Sequence, residues 1–389
     1  MIPLSNFMGF KRTNGKVGVR NHVVIMPTTA CANGVVSAIG REVPGVVPLL
    51  HGHGCGRGGS DLEIHFRTLI NLASHPNVAA VLLIGLGCEV IKSEYLIDAI
   101  KATGKPVEQL NIQAEGGSVR TKTKAVSIAN DMLSAALLQE RELIPISELI
   151  VGLECGGSDA FSGVTANGAV GVASDWVVEK GGTVILTENT EMIGTSHILK
   201  ARSINDNVAA AVADLVARAE KRSVDVLGPL AAIAIAPGNM DGGMSSIREK
   251  SLGCIVKGGT TAIRQVVSYG EIPSEKGLVL MDAPGYDTES MTGVVAGGAQ
   301  IMLFTTGRGN PIGFPIVPVI KIASTSRLYE HMNDDMDINA GKILEGATLQ
   351  EVGSEVINAV REVANGQLVK AENNQQAGIV CIYTGQSSL

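Results

Sequence analysis

The stretch VAAVLLIGLGCE, residues 78–89, is a short apolar run that ends abruptly in glycine. Residues 78–84 predict a buried strand, because a continuous apolar run of this length fits a strand that is covered on both faces. Residues 89–103 then show the apolar spacing of a helix, and Gly104 is a stop signal for it. A strand, a glycine turn and a helix in succession form the repeating unit of a parallel sheet with covering helices.

The same pattern recurs along the whole chain. Further strands are predicted at 22–28, 46–51, 149–153, 183–188, 231–236, 277–282, 301–305, 317–322 and 378–383. Further helices are predicted at 32–41, 61–74, 122–141, 167–180, 206–221 and 349–364. The sequence therefore predicts an α/β fold, with mainly parallel sheets and covering helices in two or three Rossmann-like subdomains. We expect domain boundaries that give residues 1–145, 146–224 and 225–389.

Composition excludes several classes of protein. The chain has 389 residues, of which 45% are hydrophobic, 18% charged and 3% aromatic, and its net charge is −7. These values exclude a mainly disordered chain and argue against a nucleic-acid partner. The longest apolar stretches are about half the length that spans a bilayer. The six cysteines form no CxxC pair, so we expect a reducing, cytoplasmic location without membrane contact.

Five predicted strand ends carry polar or titratable groups beside glycine. In open α/β sheets, ligands bind just outside the carboxyl ends of the strands. The five segments are His51–Gly59, Gly85–Glu89, Glu154–Asp159, Thr187–Glu191 and Thr305–Asn310. Together they predict one composite active site at the carboxyl ends of the strands.

Individual residues within these segments allow more than one interpretation. His51 and His53, one residue apart on a glycine-rich turn, suit a transition metal. Arg308, between two glycines, fits an anion clamp better than a packing role. The acidic residues of these segments are equally compatible with helix caps, and His65 is interpreted as a structural or surface residue. The turn GHGCGRGG lacks the GxxxxGK[ST] pattern of a phosphate-binding loop.

Five motifs together resemble the altronate/galactarate dehydratase family. They are GKVGVRNH (15–22), HGHGCG (51–56), GLGCE (85–89), ECGGSDAFSGVTANGAVG (154–171) and TTGRGNP (305–311). The sugar-acid dehydratases of this family usually carry a small N-terminal SAF-type domain, whereas this chain begins close to the core motifs. Within the family, that organisation is typical of a split enzyme such as the beta subunit of (2R)-sulfolactate sulfo-lyase. Split altronate dehydratases also exist.

The resemblance implies a lyase that catalyses β-elimination from a small hydroxy acid. The first expectation is conversion of (2R)-sulfolactate to pyruvate and sulfite, and the alternative is loss of water from altronate or galactarate. A small SAF-domain subunit would then be the partner in a hetero-oligomer. The resemblance also implies Fe²⁺ or another divalent metal, and the expected ligands are His51, His53, Cys88 and Glu154.

Such a reaction needs a base, an electrophile and cations that hold the anionic substrate. The expected catalytic residues are His51, His53, Glu154 and Arg308. Arg20 and Arg308 are expected to clamp the anion, while substrate hydroxyls would bind Ser158, Asp159 and Asn167. Two other classes stay open: an iron–sulfur hydro-lyase with its cluster on Cys55, Cys88 and Cys155, and a non-catalytic scaffold subunit.

Overall fold

The computed structural model describes residues 2–232 and 235–386. Its strands, numbered in chain order, are β1 (Asn6–Lys11), β2 (Val17–Gly18), β3 (His22–Pro27), β4 (Val46–Pro48), β5 (Val78–Gly85), β6 (Val107–Asn111), β7 (Glu142–Pro145), β8 (Ile150–Cys155), β9 (Thr183–Leu186), β10 (Ile263–Val267), β11 (Gly277–Met281), β12 (Ile301–Thr306), β13 (Val319–Ala323) and β14 (Ile338–Asn339).

The helices connect these strands and cover the sheets. They are α1 (Asn33–Glu42), α2 (Gly59–Ala73), α3 (Ser93–Ala102), α4 (Ser118–Leu137), α5 (Ala166–Glu179), α6 (Ser196–Ala201), α7 (Asp206–Leu227), α8 (Pro237–Asp241), α9 (Ile247–Cys254), α10 (Asp287–Ala296), α11 (Ser326–His331), α12 (Leu349–Ala364) and α13 (Lys370–Asn373). Short 3₁₀ turns, including Asn189–Met192 and Ile255–Gly258, join several of them.

A four-stranded parallel sheet forms the first layer, in the order β4-β3-β5-β6. Every residue of β5 is buried, which confirms the strand predicted from its continuous apolar run. Helices α1 and α4 pack on one face of this sheet, whereas α2 and α3 pack on the other. Strands β2, β1 and β7 form a separate small antiparallel sheet, in that order.

A seven-stranded parallel sheet forms the larger layer, in the order β10-β11-β9-β8-β12-β13-β14. Helices α5, α7 and α12 contribute to the core on one face, and α10 covers the other. Strand β9, the next strand in the chain, pairs with one side of β8, and β12 pairs with the other side. The direction in which the chain adds strands to the sheet therefore reverses between β8 and β12. This switch point is where open α/β sheets bind their ligands.

The mixed α/β fold with parallel sheets is confirmed. The pairing of strands within the large sheet also tests where the chain divides into domains. Strands β8 and β9 precede residue 225, yet they are hydrogen-bonded into one sheet with β10–β14. This shared sheet argues against a separate domain for residues 225–389. We therefore propose two units, divided near residue 145. They share one core, because α2 from the first unit packs against α10 from the second.

Several predicted elements differ from the structure for identifiable reasons. Residues 378–383 make an isolated bridge from Val380 to His51 and are not a strand, because they cross between the two sheets. The strand predicted at 231–236 lies partly outside the described residues, and residues 228–232 form a 3₁₀ turn. Helix α3 begins at Ser93, four residues later than predicted, because Val90 is exposed and does not join its apolar face.

Candidate active site

Six side chains meet at the carboxyl ends of β8 and β9, and we call them the thiol–carboxylate–lysine cluster. Cys155 ends β8, and Glu188 and Glu191 follow β9. The remaining three come from α9 and from the 3₁₀ turn after it: Lys250, Cys254 and Lys257. Lys257 and Glu188 have no exposed surface, and Lys250 keeps only 12% of its side chain exposed.

Cys155 is at the centre of this cluster. Its thiol donates to Glu191 Oε2 over 2.6 Å, and its sulfur lies 3.5 Å from that of Cys254. The Cys155 backbone N–H donates to Glu188 Oε2 over 2.9 Å. Glu188 itself has φ of +68°, a left-handed conformation that non-glycine residues rarely adopt and that is concentrated at functional sites.

Two lysines balance the two carboxylates. Lys257 Nζ lies 2.6 Å from Glu188 Oε2, and Lys250 forms an ion pair with Glu191. Burial, followed by repulsion from Glu191, raises the pKa of Glu188 to about 7. Burial would also raise the pKa of Glu191, but Lys250 and Lys257 outweigh it and hold that pKa below its usual value. Glu188 is therefore the carboxylate of the cluster whose charge changes near neutral pH.

Three members of the cluster form a group that could hold a metal ion. The ligand atoms of Cys155, Glu191 and Cys254 lie within 4.8 Å of one another. Thiolate and carboxylate donors suit a borderline divalent metal such as iron or zinc. Binding would release the two thiol protons, so the ion's two positive charges would be matched by two thiolates. The buried cluster would thus keep its charge balance, and the residues fit a divalent ion.

Glu154 lies beside this cluster on the opposite face of β8. Its carboxyl is buried, and Oε2 accepts from Ser290 Oγ over 2.6 Å. Within residues 2–232 and 235–386, Glu154 Oε1 has no hydrogen-bond partner. Burial, followed by the charge of Glu188, raises the pKa of Glu154 well above the usual range, which favours its protonated form.

Two neighbouring strands extend the face that carries Glu154. In strand register, Phe304 of β12 pairs with Glu154 on one side and with Lys321 of β13 on the other. The Lys321 ammonium lies 4.1 Å from the centre of the Phe304 ring. Burial lowers the pKa of Lys321 to about 7. This face therefore holds a carboxyl and an amine that are both pushed toward their neutral forms.

A cavity of about 260 Å³ opens next to the cluster. Its polar wall consists of Thr190, Glu191, Ser223, Asn239 and Lys250. Asn239 uses its Oδ1 to accept the Ser158 N–H over 2.8 Å, so its amide N–H groups are the part left to donate. The volume lies just below the range of about 300–1,000 Å³ of pockets for drug-sized ligands. It therefore suits a small polar metabolite.

The structure brings the predicted motifs at 154–159 and 305–310 to one edge of the large sheet. Arg308 N donates to Gly157 O over 3.0 Å, and its side chain is exposed. Ser158 Oγ lies 4.0 Å from Cys155 Sγ, and Asn167 Nδ2 donates to Gly253 O, next to Cys254. Ser158 and Asn167 therefore lie next to the cluster, and Arg308 is attached to the same loop through Gly157.

Asp159 is placed differently from the expectation. Its carboxylate accepts from Ser162 Oγ over 2.8 Å and from Ser324 Oγ over 2.7 Å. Both oxygens therefore bind side chains that hold the loop after β8 against the end of β13. This geometry supports a positioning role better than direct binding of a substrate hydroxyl.

Two expected substrate or metal residues lie away from the cluster. Arg20 uses all five N–H groups: two on the Glu372 carboxylate and three on the carbonyls of Val19, Val363 and Gln367. It has no donor left for a substrate, which corrects the expected clamp role. Cys88 is exposed at the end of β5, in the other sheet.

The expected ligands His51, His53, Cys88 and Glu154 are all described by the structure, and they do not form a compact donor group. His51 is held by the backbone at both ring nitrogens: Nε2 lies 2.7 Å from Pro27 O, and Nδ1 accepts from His53 N. It can bind a metal only if one of these contacts opens. The alternative set for an iron–sulfur cluster is also dispersed, because Cys55 and Cys88 are exposed whereas Cys155 is buried against Cys254.

Sequence reasoning missed Lys250, Cys254 and Lys257. The segment GCIVKGG (253–259) places one lysine after two apolar residues and before two glycines. Lysine is almost never fully buried unless it is paired, so this pattern alone gave little reason to expect an interior charge. Within the described residues, no helix is long and apolar enough to cross a membrane.

Comparison with known proteins agrees with these motifs. Residues 146–387 match the family model described as D-galactarate/Altronate dehydratase, C-terminal. Residues 9–137 match the model described as D-galactarate dehydratase/Altronate hydrolase, second domain. Together the two matches include both parallel sheets.

Three curated relatives cover nearly the whole chain. An altronate dehydratase from Bacillus subtilis (strain 168) is 40% identical over 98% of this chain and 79% of its own length. The beta subunit of a (2R)-sulfolactate sulfo-lyase from Chromohalobacter salexigens is 36% identical over 94% of both chains. A galactarate dehydratase (L-threo-forming) from Escherichia coli (strain K12) is 36% identical over 93% of this chain and 73% of its own length. The chain therefore belongs to the D-galactarate/altronate dehydratase family and is a lyase.

Proposed function

We propose that the protein removes water by β-elimination from a small sugar acid such as altronate or galactarate. The observation that carries this proposal is the buried thiol–carboxylate–lysine cluster beside a small polar cavity at the strand switch point. Relatives named altronate or galactarate dehydratase, including one that is 40% identical, support the sugar acid as substrate. This order reverses the first expectation from sequence, which placed sulfolactate ahead of the sugar acids.

The cavity can orient the substrate by its charge. Lys250 presents a buried cation at the cavity wall, and Asn239 presents amide donors. A substrate carboxylate would bind Lys250, because charge-assisted hydrogen bonds are about twice as strong as neutral ones. Arg308, exposed at the end of β12, is the proposed second clamp. Ser158 and Asn167 remain proposed contacts for substrate hydroxyls.

Elimination moves one proton from carbon and one onto the leaving group. We assign the first step to Glu188, whose pKa of about 7 is suited to a general base near neutral pH. The C–H electron pair forms the carbon–carbon double bond as the neighbouring hydroxyl departs. The hydroxyl leaves as water with a proton from solvent, and Glu188 returns its own proton to solvent afterwards. Glu154, expected from sequence to be catalytic, is not assigned this step, because it lies on the opposite face of β8 and does not line the cavity. The resulting enol then tautomerises to a 2-keto-3-deoxy acid.

We propose Fe²⁺ as the metal of this site, with Cys155, Glu191 and Cys254 as its ligands in place of the set expected from sequence. When bound, such an ion supplies a Lewis acid that stabilises negative charge on substrate oxygen. His51, His53 and Cys88 would take no part in this arrangement. Metal analysis of the Cys155→Ser/Cys254→Ser double variant tests the assignment: at least tenfold less bound iron is expected, and unchanged iron content would refute it.

A second reaction is favoured by one specific observation. The sulfo-lyase beta subunit matches over 94% of both chains. Release of sulfite and pyruvate from (2R)-sulfolactate would use the same base and the same cations, because it is also a β-elimination from a hydroxy acid. By its name, that relative is one subunit of a larger enzyme, and we propose a small SAF-domain subunit as the partner of this chain in a hetero-oligomer.

One experiment separates these reactions. The chain, alone and together with a SAF-type subunit, is supplied with Fe²⁺ and assayed for 2-keto-3-deoxy acids from altronate and galactarate. It is also assayed for sulfite from (2R)-sulfolactate. Glu188→Gln should reduce kcat at least a hundredfold, whereas the exposed control Glu275→Gln should leave it unchanged. Turnover of sulfolactate only would reject the sugar-acid proposal, and full activity of Glu188→Gln would reject the assigned base.

A further inference from the structure

A second group of histidines lies in the other sheet, outside the proposed active site. The turn after β4 carries His51 and His53, and α2 carries His65. The rings of His53 and His65 pack edge to face, with centroids 4.5 Å apart. His65 has no exposed surface, and among the described residues neither of its ring nitrogens has a hydrogen-bond partner. A buried polar atom without a partner is unfavourable, so this position suits a ligand.

We infer that His53 and His65 together bind a divalent transition ion such as Zn²⁺ or Co²⁺, at a site separate from Cys155, Glu191 and Cys254. Imidazole nitrogens are common ligands of these ions. Burial lowers the pKa of His53 to about 3 and that of His65 to about 4. Both rings are therefore neutral at physiological pH, which is the form that coordinates a metal. The inference does not depend on the proposed function.

His53 also holds the C-terminal strap, which we define as residues 380–386. The N–H of Ile382 donates to His53 Nε2 over 3.0 Å. A neutral imidazole has one nitrogen lone pair that can accept a bond. Coordination through either nitrogen would take that lone pair, so metal binding and the Ile382 hydrogen bond exclude each other.

The rest of the strap is attached independently of His53. The Asp61 carboxylate accepts from the N–H groups of Gly385 and Gln386 over 2.9 and 3.0 Å, and Arg57 donates to the Gln386 carbonyl. Metal binding should therefore release Ile382 while the end of the strap stays attached. The site would thus couple metal occupancy to one local contact.

Cobalt binding to the tag-free full chain tests the site. The chain carries Cys155→Ser and Cys254→Ser, so no cobalt–thiolate charge-transfer band can arise from the cluster. We expect one Co²⁺ per chain with a nitrogen- and oxygen-type visible spectrum. His65→Gln or His53→Gln should each weaken binding at least tenfold, whereas His197→Gln, on the exposed surface of α6, should not change it. Absence of bound Co²⁺, or affinity indifferent to both substitutions, would overturn the inference.

Hydrogen exchange provides a second readout in the chain that keeps both histidines. Saturating Co²⁺ should speed exchange of the Ile382 amide at least tenfold and leave that of Gly385 unchanged. This measurement decides the question even if a histidine variant fails to fold, which circular dichroism would show. Unchanged exchange at Ile382 with Co²⁺ bound would show that the ion sits elsewhere.

Discussion

Replacing Lys257 by methionine should destabilise the protein strongly, because it removes one partner of a fully buried ion pair. Lys257 and Glu188 are both 0% exposed, and their charged atoms are 2.6 Å apart. Breaking such a pair costs about 3–5 kcal/mol. Glu188 can limit the cost by holding a proton, because loss of the Lys257 charge should raise its pKa above the value of about 7 that it has beside the lysine.

The sign of the pH dependence follows from that protonation. In wild type the pKa of Glu188 is about 7, and in Lys257→Met we expect it to be higher, so the charge of Glu188 differs between the two proteins only above about pH 7. The destabilisation relative to wild type should therefore change little between pH 5.5 and pH 7 and should grow by about 2 kcal/mol between pH 7 and pH 8.5. The double variant Lys257→Met/Glu188→Gln should recover part of the loss, because it leaves no unpaired charge.

Urea unfolding followed by circular dichroism measures these differences. The matched control is Lys276→Met, which breaks an exposed ion pair with Glu148 at 3.0 Å. Exposed pairs contribute about 0–1 kcal/mol, so this variant should remain near wild type at each of these pH values. If Lys257→Met were as stable as Lys276→Met at pH 8.5, where Glu188 is ionised in wild type, the description of the cluster as a charge-balanced interior would be wrong.

Three further predictions concern residues outside that pair. Arg308→Lys keeps the charge but loses the planar two-pronged donor, so kcat/KM should fall at least tenfold, about 1.4 kcal/mol; an unchanged value would return Arg308 to a surface role. Arg20→Lys should lower the free energy of unfolding by about 2 kcal/mol or more, because lysine cannot replace five N–H donors, while KM stays the same; a raised KM with normal stability would restore Arg20 as a clamp. Burial lowers the pKa of His75 to about 3, so its contribution to stability is complete above pH 6.5 and is lost as the pH falls toward 3. His75→Gln should flatten that part of the stability profile, and an identical acid slope would contradict the assignment.

Local patterns were sufficient for much of the architecture. The buried strand β5 and the helix α12, Leu349–Ala364, follow from apolar spacing alone. Helix α12 even begins with a capping box, in which Thr348 and Glu351 bind each other's backbone N–H. The polar strand β6 and the edge strand β7 were missed, because their burial patterns are broken by exposed residues. Their strand conformation comes from pairing with β5 and β1.

The sequence by itself determined the fold class, the family and the edge of the large sheet where polar groups collect. Strand ends and glycine turns can be recognised from short stretches of sequence. In a parallel sheet the carboxyl ends of all strands lie at the same edge, so the polar groups that follow them collect there. Only the tertiary structure decided which buried side chains contact each other. Cys155 meets Cys254 across 99 residues of chain, and Arg20 meets Glu372 across 352. A residue's type predicts what it can bind, but its partner depends on how distant elements pack, and here that packing leaves Arg20 no free donor and places two lysines beside the buried carboxylates.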